Sequence, residues 1–485
     1  MNVFKPLVFF LTFLFGSLLT AQNFGDALRY SDFDPIGSAR FTGAGGALGP
    51  LGADFSVIST NPAGLGWIRK SEFMISPGLY INSANTRLLN GDNQLDFDDA
   101  AVQFNVPNIG IVTSSRGANG METFNFAIGI NRLADFNQQF YYQGASKGSL
   151  VQRFAELAND RGLDDFEAGV AYDAEALIQD DNSGFYFSDF DGQEDAVIER
   201  SETVIRSGSL TELSFGFAGN VQNKFLWGLA VGVPFLNYQE QKEYAETDPT
   251  DEVFVFNDLR YTQDLTTSGA GINLKLGFIY RAHQALRLSM AIHTPTFYQV
   301  DETFETSMDY SYTLPEEPES NGFAQSPEGQ FNYSLRTPWR LLGGIGTVFG
   351  KSGFLTGEVE YVNYSKNRFL FDGFSTDEAE INKETEANLS SAVKIRTGAE
   401  YAIGNFRLRG GVGLQQAPIV GDNTFYPTGS FGLGLRQKTY YLDFAYRRAG
   451  QKTTYTPYLT ADAAQQFVNN DTVRENFVFT LGFRW

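Results

Sequence analysis

The chain has 485 residues, with 45 Phe, 23 Tyr, 4 Trp and 50 Gly, no Cys, two His, and a formal net charge of −21. Without thiols there is no basis for disulfides, thiolate zinc sites or cysteine nucleophiles, and His283 and His293 alone argue against a histidine-built metal centre. The acidic balance argues against a protein that tracks nucleic-acid phosphates. With 15% aromatic and 42% hydrophobic residues the chain is neither disordered nor collagen-like, and a mean hydropathy of −0.23 suits a soluble protein or a membrane barrel that hides its apolar face by alternation.

Residues 1–21 have one cation, Lys5, then an apolar run from Leu7 to Leu19 and a small residue, Ala21, before Gln22. The run is too short to span about 30 Å of hydrocarbon, so it is read as a cleaved signal peptide. No Cys follows for a lipid anchor, and no later run is long enough for a membrane helix. The expected destinations are the periplasm, the exterior and the outer membrane.

Residues 22–70 are broken by Gly37, Gly43, Gly45, Gly46, Gly49, Gly52, Gly64 and Gly66 and do not alternate. The glycines of 43–49 superficially match a dinucleotide loop, but no apolar strand precedes them. Close packing of backbone against a wall is the preferred reading. A barrel of fourteen strands has room for a plug, so the segment is expected as a hatch in the lumen.

From residue 71 to 485 the sequence alternates. Phe477, Phe479, Leu481, Phe483 and Trp485 share one side of a strand, and Val478, Thr480, Gly482 and Arg484 share the other. The same pattern predicts strands at 71–90, 96–115, 121–143, 203–221, 224–244, 252–281, 285–312, 329–350, 352–371, 390–403, 405–415, 428–436, 438–449 and 473–485. A sandwich would bury the apolar face, whereas a barrel turns it to lipid. The links decide, because short turns alternate with long loops, as in transmembrane barrels. The expected fold is all-β: a 14-stranded antiparallel transmembrane β-barrel with an N-terminal hatch inside the lumen and a partly helical extracellular insertion at 144–202. Trp227, Trp339, Tyr280, Tyr401 and Tyr440 suit interfacial girdles, and the terminal aromatic resembles the signal read by barrel-assembly machinery.

In the third strand, alternation stops at Asn131, Arg132, Leu133, Ala134 and Asp135. An inward turn or bulge explains this, as does a strand leaving the membrane there. The insertion is dense in Asp and Glu around an aromatic island of Phe185, Tyr186, Phe187 and Phe190. Asp189, Asp191, Gly192 and Asp195 are too few for a calcium loop, so no metal is assigned; a solvated acidic loop, or cations bridging to lipopolysaccharide, is preferred. Glu358, Glu360, Lys394, Arg396, Glu400, Arg407, Arg409, Asp443, Arg447 and Arg484 fall on the polar face. Cross-wall ion pairs are their default role, and a belt selecting a carboxylate ligand is the alternative.

Gly37 to Ala47, then Gly52-Ala53-Asp54, then Asn61-Pro62-Ala63-Gly64-Leu65-Gly66, resemble the N-terminal hatch of the FadL/TodX family of outer-membrane transporters for hydrophobic compounds. The resemblance implies a hatch and gate at Asn61, Pro62, Ala63 and Gly64, lying near an inward kink in the third strand at Asn131 to Asp135. It also implies lateral exit of long-chain fatty acids or similar hydrophobic ligands, and ligand capture at Phe185, Tyr186, Phe187 and Phe190, where a packed helical lid is the alternative. The expected protein is not an enzyme: it has no catalytic residues and no cofactor. Its expected partners are a hydrophobic small molecule, outer-membrane lipid and lipopolysaccharide, and the barrel-assembly machinery, with no nucleic acid and a monomeric state. The alternative function is a non-conducting barrel that serves type IX protein secretion as a surface shuttle.

Overall fold

The computed structural model describes residues 24–485 apart from 35, 92–94, 118–119, 194 and 374. The expected signal peptide, residues 1–21, lies outside the described residues. Fourteen antiparallel strands close into a ring. They are β1 (Glu72–Leu88), β2 (Phe97–Arg116), β3 (Met121–Asp135, resuming as Gln138–Lys147), β4 (Val197–Val221), β5 (Phe225–Thr247), β6 (Phe256–Arg281) and β7 (Leu286–His293, resuming as Phe297–Tyr312). The ring continues with β8 (Gly329–Arg336 and Arg340–Val348), β9 (Gly353–Asn363 with the short Arg368–Leu370), β10 (Ser391–Ile403), β11 (Phe406–Gln416), β12 (Phe425–Arg436), β13 (Tyr440–Tyr455) and β14 (Val468–Arg484). It closes where β1 pairs with β14, from Glu72↔Arg484 to Leu88↔Val468.

Alternation sets the two faces. On β14, Phe479 and Phe483 are exposed on the outside, while Val478, Thr480 and Gly482 are buried inside. A sandwich would have buried those rings between sheets. The outer surface exposes Leu274, Leu355, Leu408, Phe431 and Leu442 in the same way, which suits hydrocarbon rather than water. Among the described residues, no helix is long and apolar enough to cross a membrane.

The rim is uneven. β4 to β7 run well past the neighbouring wall, whereas β10 to β12 are short. β3 continues to Lys147 and β4 begins at Val197, so the insertion is 148–196, shorter at both ends than expected. It carries α3 (Leu150–Arg161) and α4 (Ala168–Asp173), after α1 (Phe24–Arg29) and α2 (Ala39–Gly43) of the N-terminal segment. A fifth helix, α5 (Ser375–Asn388), lies in the link from β9 to β10, where the sequence shows only a long loop.

α3 begins with a capping box, in which Ser149 Oγ accepts the Val151 amide at 3.1 Å and Gln152 Oε1 accepts the Ser149 amide at 3.0 Å. Its apolar face, Val151, Phe154, Ala155 and Ala158, packs with α4 onto the inward rings Tyr244, Phe256, Tyr261 and Tyr310. The insertion is thus a lid seated in the barrel mouth. Buried Arg200 fastens its start by donating to the carbonyls of Ser146 (2.7 Å) and Gly148 (2.6 Å), and Glu246 accepts from Leu150 N at 3.1 Å.

Residues 24–70 lie inside the ring and touch it on several sides. Arg340 donates to Ser31 O (2.9 Å), Asn61 to Phe278 O (3.3 Å), and the Ala39 amide to Thr480 Oγ1 (2.7 Å). The glycine run packs closely on the wall, with Gly43 against Gly432 and Gly45 against Gly411.

Candidate functional site

The wall is interrupted between β2 and β3. Their ladder runs from Arg116↔Thr123 to Asn108↔Asn131 and stops. Beyond it, β2 from Phe97 to Pro107 has no partner on β3, and the resumed part of β3 pairs only with β4. On the β4 side the register shifts between Arg132 and Ala134, leaving Leu133 as a bulged, buried residue. The freed backbone of β3 is satisfied from the lumen: Asp34 N donates to Leu133 O at 2.8 Å, and Ile36 N to Arg132 O at 3.2 Å. Two amides of the N-terminal segment therefore stand where β2 would otherwise be.

Past the break, β3 leans over the inner face of β1. Asn82 donates to Asn137 O at 2.6 Å, Thr86 Oγ1 donates to Tyr141 O, and Tyr142 packs with Leu88. Asn137 donates to Asp135 Oδ1 (2.8 Å), Gly208 O (3.2 Å) and Gln103 Oε1 across the opening. Gly208 has φ +115°, and a Cβ there would collide with Asn237 O. This glycine lets β4 follow the break.

A cavity of about 370 Å³ reaches this opening from the lumen. Ala101 and Gln103 of β2 and residues 134–137 of β3 line one side; Arg447, Gln451, Thr472, Arg474 and Asn476 of β13 and β14 line the other. Its floor is formed by Gly25, Leu28 and Arg29 of α1 with Asp32, Asp34 and Ile36.

Asn61, Pro62, Ala63 and Gly64 form a tight turn. Asn61 Oδ1 caps it by accepting the Ala63 amide at 3.1 Å, with Pro62 in the first turn. The turn rests on Gly228 of β5 and Gly277 of β6, which are directly paired and leave room that any Cβ would fill. The turn, expected near the third-strand kink, thus has its direct seat on β5 and β6. The residue that reaches the kink is Ser59, whose Oγ accepts from Asn131 Nδ2 at 2.8 Å. From there a buried polar chain runs both ways. One arm passes from Ser59 to Glu212 and Lys275; the other from Asn131 through Asn108, Ser76 and Thr480 to the Ala39 amide. Sequence reasoning missed Ser59, Asn108 and Glu212; for Asn108 and Glu212 the only signal is a polar residue on an inward-facing strand position, and Ser59, in the N-terminal segment, carries none.

The aromatic island is divided. Phe190 is buried in the lid core beside Phe256 (5.0 Å between ring centres), and Tyr186 packs edge-on to Tyr172. Phe185 and Phe187 are exposed on a two-stranded turn. The nearby acids have separate partners: Asp189 accepts from Tyr310 OH (2.5 Å), Asp191 from Ser188 N (2.9 Å), and Asp195 pairs with Lys147. Burial pushes the Asp189 carboxyl up, with the Tyr310 hydrogen bond opposing it.

The polar-face charges are paired across strands and to the hatch. Arg396 meets Glu360 at 2.6 Å and Glu358 at 3.3 Å, and Arg409 meets Glu400 and Asp443, both at 2.7 Å. Arg407 lies 3.8 Å from Glu400 and Arg484 lies 3.0 Å from Glu72. Lys394 pairs with Asp32 at 2.5 Å and Arg447 with Asp34 at 2.6 Å. Arg474 is missing from the expected set although it falls within the predicted strand 473–485, on the side shared by Val478, Thr480 and Arg484; among the described residues its side chain has no ion-pair or hydrogen-bond partner.

The chain as a whole is similar in fold to solved structures. The toluene transporter TodX of Pseudomonas putida matches over 94% of this chain and 99% of its own, with a TM-score of 0.54 at 11% identity. A Pseudomonas aeruginosa FadL homologue matches over 93% and 99%, with a TM-score of 0.53 at 11% identity. The chain shares their fold. No protein-family model and no curated protein sequence matches it. With identity this low, the residues that line the cavity have to be judged on their own chemistry.

Proposed function

We propose that the protein is an integral outer-membrane channel for passive uptake of hydrophobic small molecules, with sideways exit between β2 and β3. The observation that carries this reading is that the lumenal cavity is lined on one side by the two unpaired strand edges, Ala101 and Gln103 of β2 and residues 134–137 of β3. An apolar solute gains nothing from release into water, whereas passage through the wall delivers it to hydrocarbon. The TodX structure is described as a toluene transporter and shares the fold, which supports the same class of cargo here. In this reading residues 22–70 are the hatch, and Asn61, Pro62, Ala63 and Gly64 anchor it, so that Asp34, Ile36 and Ser59 meet the third strand. Exposed Phe185 and Phe187 offer a first contact for apolar ligands.

The chain has no cysteine, so a pair of thiols can be introduced without competing ones. The pair Gln103→Cys and Asn137→Cys, whose native side chains touch across the opening, is expected to block uptake of an apolar tracer into cells when bridged by a short, reducible bifunctional thiol reagent and to restore it on reduction. Uptake indifferent to the lock would sink lateral exit. The second reading, a surface component of type IX secretion, is favoured by the lid packed into the mouth. It predicts that loss of the gene impairs display of secreted proteins while tracer uptake is unchanged.

A further inference from the structure

The two rims of the barrel carry opposite charge. The chain has a formal net charge of −21, and the rim of long links shows it, with Asp251, Glu252, Glu316, Glu317 and Glu319 all exposed. The rim of short turns is reversed. Arg69 and Lys70 before β1, Arg116 at the end of β2, Lys224 after β4, Lys351 after β8 and Lys438 after β12 are all exposed. Among the described residues none of these six is in an ion pair; Arg69 donates to Asn223 Oδ1 at 2.7 Å, a neutral partner. The acids described on this rim are Glu122, which is exposed, and Glu72, which is buried 3.0 Å from Arg484. Short turns lie on the periplasmic side of transmembrane barrels, so the basic belt lies at the inner leaflet and the acidic rim at the exterior.

A groove of about 570 Å³ lies on the outer wall next to this belt. Register makes two rungs of it. Leu435, Leu442 and Leu481 stand side by side across β12, β13 and β14, and Leu433, Phe444 and Phe479 form the next rung towards the bilayer centre. β12 turns into β13 through Lys438, three residues beyond Leu435, or roughly 10 Å along the strand. Tyr440, paired with Phe483, and Trp485 are exposed at the level between groove and turn, where rings suit the depth of lipid head groups. Apolar groove, aromatic ring and exposed cation thus follow one another in the order of a lipid's chain, interface and head.

We infer that the periplasmic end of the barrel is a binding surface for anionic glycerophospholipid of the inner leaflet, with an acyl chain in the groove across β11 to β14 and its phosphate at Lys438. The remaining cations of the belt hold further anionic heads. The distribution of charge selects this occupant. The cations are spread around the ring from β1 to β13, as a surrounding leaflet requires, whereas an acidic protein docked from one side would meet a cluster. A second copy seated on the groove would set two basic belts against each other. Each Lys or Arg near an anionic lipid surface adds roughly a fivefold bias. The inference goes beyond the uptake reading and does not rest on it.

The test refolds the full chain into vesicles of equal phosphatidylglycerol and phosphatidylcholine, extracts it in mild nonionic detergent and counts the retained lipids by mass spectrometry. Heat-modifiable migration on gels verifies folding of each variant. Wild type is expected to retain phosphatidylglycerol at least about threefold over phosphatidylcholine, and high salt during extraction to reduce that ratio. Changing all six exposed cations to Gln should bring the ratio to about one, whereas Arg260→Gln, at an exposed cation near the opposite rim, should leave it unchanged. Lys438→Gln and the groove-filling Leu442→Trp should each lower the number of phosphatidylglycerol molecules retained. Equal retention of the two lipids by wild type, or a preference that survives loss of all six cations, overturns the proposal. Retention unchanged in both Lys438→Gln and Leu442→Trp overturns the groove as the site. Capture of soluble polyglutamate by a chain with no lipid preference would assign the belt to an acidic protein and overturn it as well.

Discussion

Glu212 is wholly buried, accepts from Ser214 at 2.7 Å and Asn273 at 3.1 Å, and pairs with Lys275. Removing one member of such a pair strands the other charge, at a cost of about 3–5 kcal/mol. Glu212→Ala is therefore expected to lower the urea midpoint of the folded barrel sharply, and Glu243→Ala, at an exposed pair with Arg260, to shift it by less than about 1 kcal/mol. Equal midpoints for the two variants would refute the weight given to the buried pair. At this scale the sequence was half legible. Period-two alternation placed Glu358, Glu360, Arg396, Arg409 and Asp443 on the inner face. It could not say that Arg409 would lie between Glu400 and Asp443, because partners across a ladder depend on register.

The third strand shows the same division among elements. Loss of alternation from Asn131 to Asp135 marked where β3 departs from a regular ladder, but not which neighbour it loses or that Asp34 and Ile36 would satisfy its backbone. The accommodation on β4 rests on Gly208, which sits at positive φ with no room for a Cβ. Gly208→Ala is expected to destabilise the barrel by at least about 1 kcal/mol and to weaken the Asn137 contacts, seen as faster amide exchange over 134–138; unchanged exchange there would count against this role. Outer-face positions answer to a different rule. Leu433→Arg, on the exposed side of β12, is expected to cost about 2–4 kcal/mol if it meets the bilayer interior. A loss no greater than that of an exposed loop substitution, measured by refolding into vesicles, would argue against a lipid-facing surface. The turn at Asn61 to Gly64 was legible as a motif, whereas its seat on paired Gly228 and Gly277 belongs to two strands far away in sequence.

Taken whole, the barrel is tall on the side of β4 to β7 and low at β10 to β12, and the lid fills the tall side. Arg200 and Glu246 hold the start of α3, and Glu156 receives the amides of Ala461, Asp462 and Ala463 at 2.7–3.0 Å from the link between β13 and β14. Arg200→Ala is expected to loosen this lid and expose residues 148–196 to protease while the ring stays folded; protection equal to wild type would show that the lid does not depend on this arginine. Strand number, the inward and outward faces and a glycine-rich N-terminal segment could all be read along the chain, because alternation and turn residues act over a few neighbours. Ring closure was needed to establish that β2 and β3 part above Asn108 and Asn131, that α5 forms, that the lid sits inside the mouth, and that the Arg474 side chain has no ion-pair partner among the described residues. Each of those depends on which strands meet in space. A ring brings β14 beside β1 and sets Arg474 opposite Asn82, across a separation that no local pattern encodes.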